Sequence, residues 1–188
     1  MNLGQSMLVI GAILLLGILT LNANRTVMET NDVTNSSEFG IAAVSLATSL
    51  VEEAMGKMFD EVVADTVPPT MALSILSTTL QKESGERYRG GTNDFDDIDD
   101  YNNLFVVYTS PNDMSAVAGA DTILVVPGLR ARYYVRARVN YVNSTALDDT
   151  TSARTWHKKI RVEVTSPRIL PIGQAQDTLV YPAVMSYW

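Results

Sequence analysis

The stretch LGQSMLVIGAILLLGILTLNANR, residues 3–25, has no charged side chain before its final arginine. The 19 residues from Leu3 to Leu21 are interrupted only by Gly, Ser, Gln and Thr. A bilayer core of about 30 Å is crossed by roughly 20 helical residues, each rising about 1.5 Å. The length suits one membrane span. A secretory signal combines a basic start, a shorter apolar run and a small-x-small cleavage site. Here the first basic residue follows the run, and Asn22-Ala23-Asn24-Arg25 is a poor site, so a span is expected rather than a cleaved signal.

Downstream, IAAVSLATSLVEEAMGKMFDEVV (41–63) repeats apolar residues at spacings of three and four: Ile41, Val44, Ala47, Leu50, Val51, Ala54, Met55, Met58 and Val62. This is one apolar stripe on a helix. Glu52, Glu53, Lys57, Asp60 and Glu61 fall on the opposite face. Pro68-Pro69 is the expected stop, because proline donates no backbone hydrogen bond. The intervening residues are rich in Asn, Thr and Ser, whose side chains compete for backbone partners. Two arrangements satisfy this pattern: a kinked continuous helix, or two helices joined by a loosened segment. Residues 1–64 are thus read as a helix, apolar over 3–21, loosened over about 24–38 and amphipathic over 39–64.

After the prolines the period changes to two. LFVVYT (104–109) and TILVV (122–126) are short strand candidates bounded by Pro and Gly. In ARYYVRARVNYVN (131–143), Tyr133, Val135, Ala137, Val139 and Tyr141 share one face. WHKKIRVEVT (156–165) puts Trp156, Ile160, Val162 and Val164 on one face and His157, Lys159, Arg161 and Glu163 on the other. The two should pair as a hairpin with a long, polar, mobile loop. TLVYPAVMSY (178–187) reads as an edge strand, because Pro182 fits poorly elsewhere in a sheet. Residues 65–188 therefore form a small antiparallel β head on a long helix, an α+β lollipop.

Composition narrows the function. Cysteine is absent, which removes disulfides, thiolate metal sites and cysteine nucleophiles. The net charge of −7 argues against nucleic acid as a partner. The acidity is concentrated in the helix: residues 1–64 have a net charge of −5, the remainder −2. No phosphate loop, nucleophile elbow or histidine–carboxylate metal spacing is present, so no enzymatic activity is expected. His157, the one histidine, reads as an exposed strand residue.

Two charged groups stand out. GTNDFDDIDDYNN (91–103) gathers Asp94, Asp96, Asp97, Asp99 and Asp100 in seven residues. Such hard oxygens could ligate calcium, although the spacing is not that of an EF-hand. The alternatives are a solvated acidic loop or one paired with basic side chains. No other cofactor is expected. Arg132, Arg136 and Arg138, with Lys159 and Arg161 on the partner strand, should form a basic face. Crowded like charges repel, so a counter-charge is expected, with the acidic loop of the same or a neighbouring subunit as its source. Asn24, Asn35 and Asn143 each begin a glycosylation-type triplet, and only Asn143 falls in an expected exposed loop.

Three pieces, in this order, give the chain a likeness: the uncharged apolar helix continuing into an amphipathic one, ATSLVEEAMGKMFDE (47–61), and FDDIDDYNN (95–103). Together with the closing hairpin they cover about half the chain, which resembles type IV pilins and their minor-pilin and pseudopilin relatives. The resemblance implies a structural subunit of an extracellular helical filament. Such a subunit waits in the inner membrane, meets a pilus assembly machinery and polymerises with identical copies. It also implies an alternative, a minor pilin or pseudopilin anchored by one transmembrane helix. The contacts between copies would run through Gln5, Met7, Ile10, Ile13, Leu14, Gly17 and Leu21. Mature pilins carry a glutamate four residues after their first residue, paired with a neighbour's terminal amine. Counting from Met1, Gln5 holds that place and offers a neutral acceptor in place of a charge-assisted one. A cut after Gly4 would instead make Gln5 the first residue.

Overall fold

The computed structural model describes residues 3–65, 72–167 and 178–187. Helix α1 (Leu3–Met55) runs unbroken for 53 residues, about 80 Å at the usual rise. The Asn/Thr/Ser segment is helical throughout, and its hydroxyls turn onto their own helix. Thr20 donates to the Leu16 carbonyl at 2.8 Å, Thr26 to Asn22 at 3.0 Å, Thr30 to Thr26 at 2.8 Å, Thr34 to Thr30 at 2.9 Å and Ser37 to Val33 at 2.9 Å. Side chains expected to compete with the helix are accommodated within it. Residues 24–38 are therefore continuous helix, not a joint.

The helix stops earlier than its apolar stripe suggests. Gly56 closes the last turn by donating to the Glu52 and Glu53 carbonyls. The chain then unwinds over Lys57–Asp60 before a short helix, α2 (Glu61–Asp65). Unwinding lets Phe59 and Asp60 turn inward, where both are buried, and lets Met58 pair with Asp97 as an isolated bridge. The amphipathic half thus ends at Met55 instead of residue 64, and Asp60 does not lie on a solvent face. Pro68-Pro69 lies outside the described residues.

The head is a sheet of strands β1 (Phe105–Thr109), β2 (Thr122–Val125), β3 (Tyr133–Asn143), β4 (Ala146–Thr150), β5 (His157–Thr165) and β6 (Thr178–Ser186), in the spatial order β2-β1-β3-β5-β6 with β4 on the end of β3. All pairings are antiparallel except β1 with β2. That exception departs from the antiparallel expectation, and Asp121 accounts for it. Its backbone donates to the Phe105 carbonyl at 2.8 Å and its carboxylate accepts from the Phe105 N–H at 2.9 Å, pinning the two strand starts side by side. The β3–β5 hairpin forms as its alternation predicts. The connection expected as a mobile loop instead contributes β4, which folds back on β3 across an irregularity at Val142/Asn143.

The end of α1 packs across β3, β5 and β6. Ala43, Ala47, Leu50, Val51 and Ala54 face Val135, Ala137, Val139, Ile160, Val162 and Val164, and all are buried. Three alanines at helical spacing allow close approach to the sheet. The buried face keeps Ala47, Leu50, Val51 and Ala54 of the predicted stripe, but at its start Ala43 is buried while Ile41 and Val44 point outward, 69% and 45% exposed. β6 is one of the two edge strands, with Pro182 opposite Arg161.

Candidate functional site

Three features could carry function: the free part of α1, a buried ionic cluster and the basic sheet face. On α1, Gln5, Met7, Ile10, Ile13, Leu14, Gly17 and Leu21 are all exposed. By length and composition the helix can cross a membrane, and none of its most apolar stretch is buried. The first buried residue along it is Ala43. Tyr133 fixes the helix where it enters the head, donating to the Phe39 carbonyl at 3.3 Å.

The two motifs noted at 47–61 and 95–103 meet in space. Met58 N–H donates to the Asp96 carbonyl and Ile98 N–H to the Met58 carbonyl, both at 3.0 Å, while Lys57 donates to the Phe95 carbonyl. Glu53, expected to face solvent, instead accepts from Tyr88 at 3.2 Å, Tyr101 at 3.1 Å and Arg89 at 3.0 Å. One carboxylate thereby fastens the helix to Tyr101 of the acidic segment and to Tyr88 and Arg89 just before it.

Beneath this junction lies Lys158, fully buried. Its ammonium donates to the Phe59 carbonyl at 2.6 Å, Asp60 Oδ2 at 2.8 Å and Asp99 Oδ2 at 2.7 Å, so all three donors are used. The Phe59 and Tyr141 rings flank it at 4.5 and 5.2 Å. Sequence reasoning passed over this residue. The signal was its parity, since Lys158 alternates in phase with Trp156, Ile160, Val162 and Val164. A lysine on a core face demands buried acids.

Asp60 also accepts from the Ser77 backbone at 3.0 Å, the Ser77 hydroxyl at 2.9 Å and Tyr141 at 3.3 Å. Burial pushes its carboxyl up, but Lys158 and Ser77 outweigh that and hold it below its ordinary 3.8. A carboxyl lowered on folding stabilises at pH above its unfolded value and loses that contribution as pH falls through the folded one. Asp60→Asn should therefore flatten the acid limb of a stability–pH curve below 3.8, read by thermal unfolding between pH 2.5 and 6. An unchanged acid limb would contradict the pairing.

The five aspartates go to separate places in the segment. Asp94 accepts from the Arg89 backbone at 2.7 Å, and Asp96 is exposed. Asp97 Oδ1 accepts the backbone N–H groups of Asp99 and Asp100 at 2.6 and 3.2 Å, and Asp99 takes Lys158. Asp100 Oδ2 accepts from Asp96 and Asp97 at 2.9 and 3.2 Å. Asp97, Asp99 and Asp100 are buried, so the segment is not a solvated loop. Burial, then the charges of Asp99 and Asp100, pushes Asp97 up to about 8. Burial lifts Asp99 to about 7 against the pull of Lys158.

Arg136, Arg138, Lys159 and Arg161 share the outer sheet face as expected, with Arg132 at its margin. Arg138 lies directly opposite Arg161 and Arg136 opposite Glu163. Among the described residues the counter-charges within the chain are local, and none comes from its own acidic segment. Arg132 pairs with Asp113 at 2.6 Å, Lys159 with Asp148 at 3.4 Å and Arg161 with Glu163 at 3.0 Å, while Arg136 lies 4.0 Å from the Phe105 ring centre. His157 is half-buried, its Nδ1 2.7 Å from Ser186 Oγ. Asn143 is exposed, and its Oδ1 accepts from the Thr145 backbone and hydroxyl at 3.1 and 2.9 Å. No family model, curated protein or solved structure matches the chain.

Proposed function

We propose that this chain is a structural subunit of an extracellular, type IV pilus-like helical filament, with bundled α1 helices at its centre and β heads outside. The observation that carries the reading is how far the uncovered apolar surface extends. A bilayer covers roughly 20 helical residues, which the stretch from Leu3 to Leu21 already fills. Beyond it Val27, Met28, Val33 and Ile41 remain 59–69% exposed. A lone membrane anchor leaves these side chains in water, whereas helices of neighbouring copies would cover them. Burying each large apolar side chain contributes about 1.5–3 kcal/mol, which favours assembly. Gly4, Gly11 and Gly17 have nothing packed against them and would admit close helix–helix approach. Head-to-tail contacts that do not close into a ring generate an open helix. Before assembly the inner membrane would hold the same helix, and a pilus assembly machinery would extract it.

The test is to shear surface filaments from the producing cells and measure how much of them this chain makes up. We expect it at stoichiometric abundance. Trace amounts, or recovery only as membrane-bound monomer, would replace the bulk subunit with the minor-pilin or pseudopilin alternative.

A further inference from the structure

A second acidic cluster lies apart from Lys158. One carboxylate oxygen from each of Glu83, Glu86 and Asp100 lies within 4.8 Å of the other two. Asp100 is completely buried, and its Oδ1 has no hydrogen-bond partner. Its other oxygen is held by the Asp96 and Asp97 backbone, which fixes the carboxylate in place. Glu86 Oε2 accepts the Glu83 N–H at 3.0 Å, so the two glutamates belong to one turn. Among the described residues no lysine or arginine forms an ion pair with any of the three. A buried carboxylate oxygen without a donor is costly, and here it faces two further carboxylates. Glu83 is exposed, so solvent reaches the cluster from its side, and Asp100 also borders an open cleft of about 520 Å³ whose lining includes Lys82, Ser84 and Asn102.

We propose that Glu83, Glu86 and Asp100 bind a divalent cation, and that the cation is calcium. The donors are all hard oxygens, with no nitrogen or sulfur to favour zinc. Two of them sit on a surface turn, which suits the adaptable six-to-eight-fold shell of calcium better than the strict octahedron of magnesium. Water on the exposed Glu83 side would complete the shell. The ligand set shares only Asp100 with the five aspartates that the sequence singles out. The ion ties the 83–86 turn to the segment whose Asp99 holds Lys158, and so stiffens the junction between α1 and the sheet.

The experiment uses the full chain in detergent, stripped with a chelator and titrated calorimetrically with calcium chloride and, separately, magnesium chloride. Expected is one calcium site with a Kd no weaker than about 1 mM, the range of extracellular modules, and weaker magnesium binding. Saturating calcium should raise the unfolding temperature by several degrees. Glu83→Gln with Glu86→Gln should weaken binding at least about tenfold, as expected when two of three charged ligands are lost, and should abolish the thermal shift. Neither glutamate is a core residue, so the doubly substituted chain should unfold in chelator no lower than the parent. Absence of calcium binding at about 10 mM, well above that affinity range, would overturn the proposal, and so would an unchanged affinity in the double variant.

Discussion

Lys158→Met should destabilise the head by about 3–5 kcal/mol, the usual cost of removing one partner from a buried ion pair. The methionine fills similar space, so the loss comes from charge rather than from a cavity. Asp60 Oδ2 and Asp99 Oδ2 would remain buried without the ammonium that now meets both, at 2.8 and 2.7 Å. Against a total stability of about 5–15 kcal/mol for an ordinary domain, that loss is large. Urea unfolding followed by tryptophan fluorescence would measure it. Adding Asp60→Asn and Asp99→Asn to Lys158→Met should recover part of the loss, because the uncompensated charges go with it. A single-variant loss below about 1 kcal/mol, the range of exposed pairs, would mean that the cluster does not hold helix, acidic segment and sheet together.

Ile13→Asp should reduce filament yield below about a tenth of normal, since about 1.4 kcal/mol already shifts an equilibrium tenfold. The side chain is 64% exposed in the single subunit, and the first buried residue of α1 is thirty positions further on. The substitution therefore leaves the head intact, and its urea unfolding should match the parent's. An aspartate at the centre of an apolar helix costs about 2.5–3.5 kcal/mol on insertion scales. Membrane fractionation reports that step separately from assembly. Ile13→Ala, which stays apolar, should insert normally and assemble with reduced yield. Normal filaments from the aspartate variant would remove Ile13 from the subunit contact and weaken the case for a helical core.

Much of the fold was legible because simple periodicities survive in it. The alternation in residues 131–143 and 156–165 gives β3 and β5 with the predicted apolar faces, and the apolar run at 3–21 gives an uncovered helix. Legibility failed where a side chain's partner lies far along the chain. Asp60 and Glu53 sit in helical phase with solvent-facing residues, and only tertiary contacts with Lys158, Tyr88 and Tyr101 turn them inward. Ile41 and Val44 match the apolar stripe, yet at that end of it the sheet meets the helix through Ala43 instead. A run of aspartates looks the same whether its oxygens face water, an ammonium or backbone N–H groups. The parallel β1–β2 pair was equally hidden, because it depends on Asp121 reaching back sixteen residues to Phe105.

The hydroxyls that Thr20, Thr26, Thr30, Thr34 and Ser37 fold onto their own helix bear on how easily α1 changes surroundings. A free hydroxyl entering hydrocarbon or a dry protein interior must shed its water and find a new partner. Here each partner travels with the donor. On any transfer of the shaft between water, lipid and protein, these five hydroxyls would need little re-pairing. Arg25, Glu29, Asp32 and Glu38 lie exposed along the same middle stretch, so its charges, unlike its hydroxyls, still have to be accommodated on transfer.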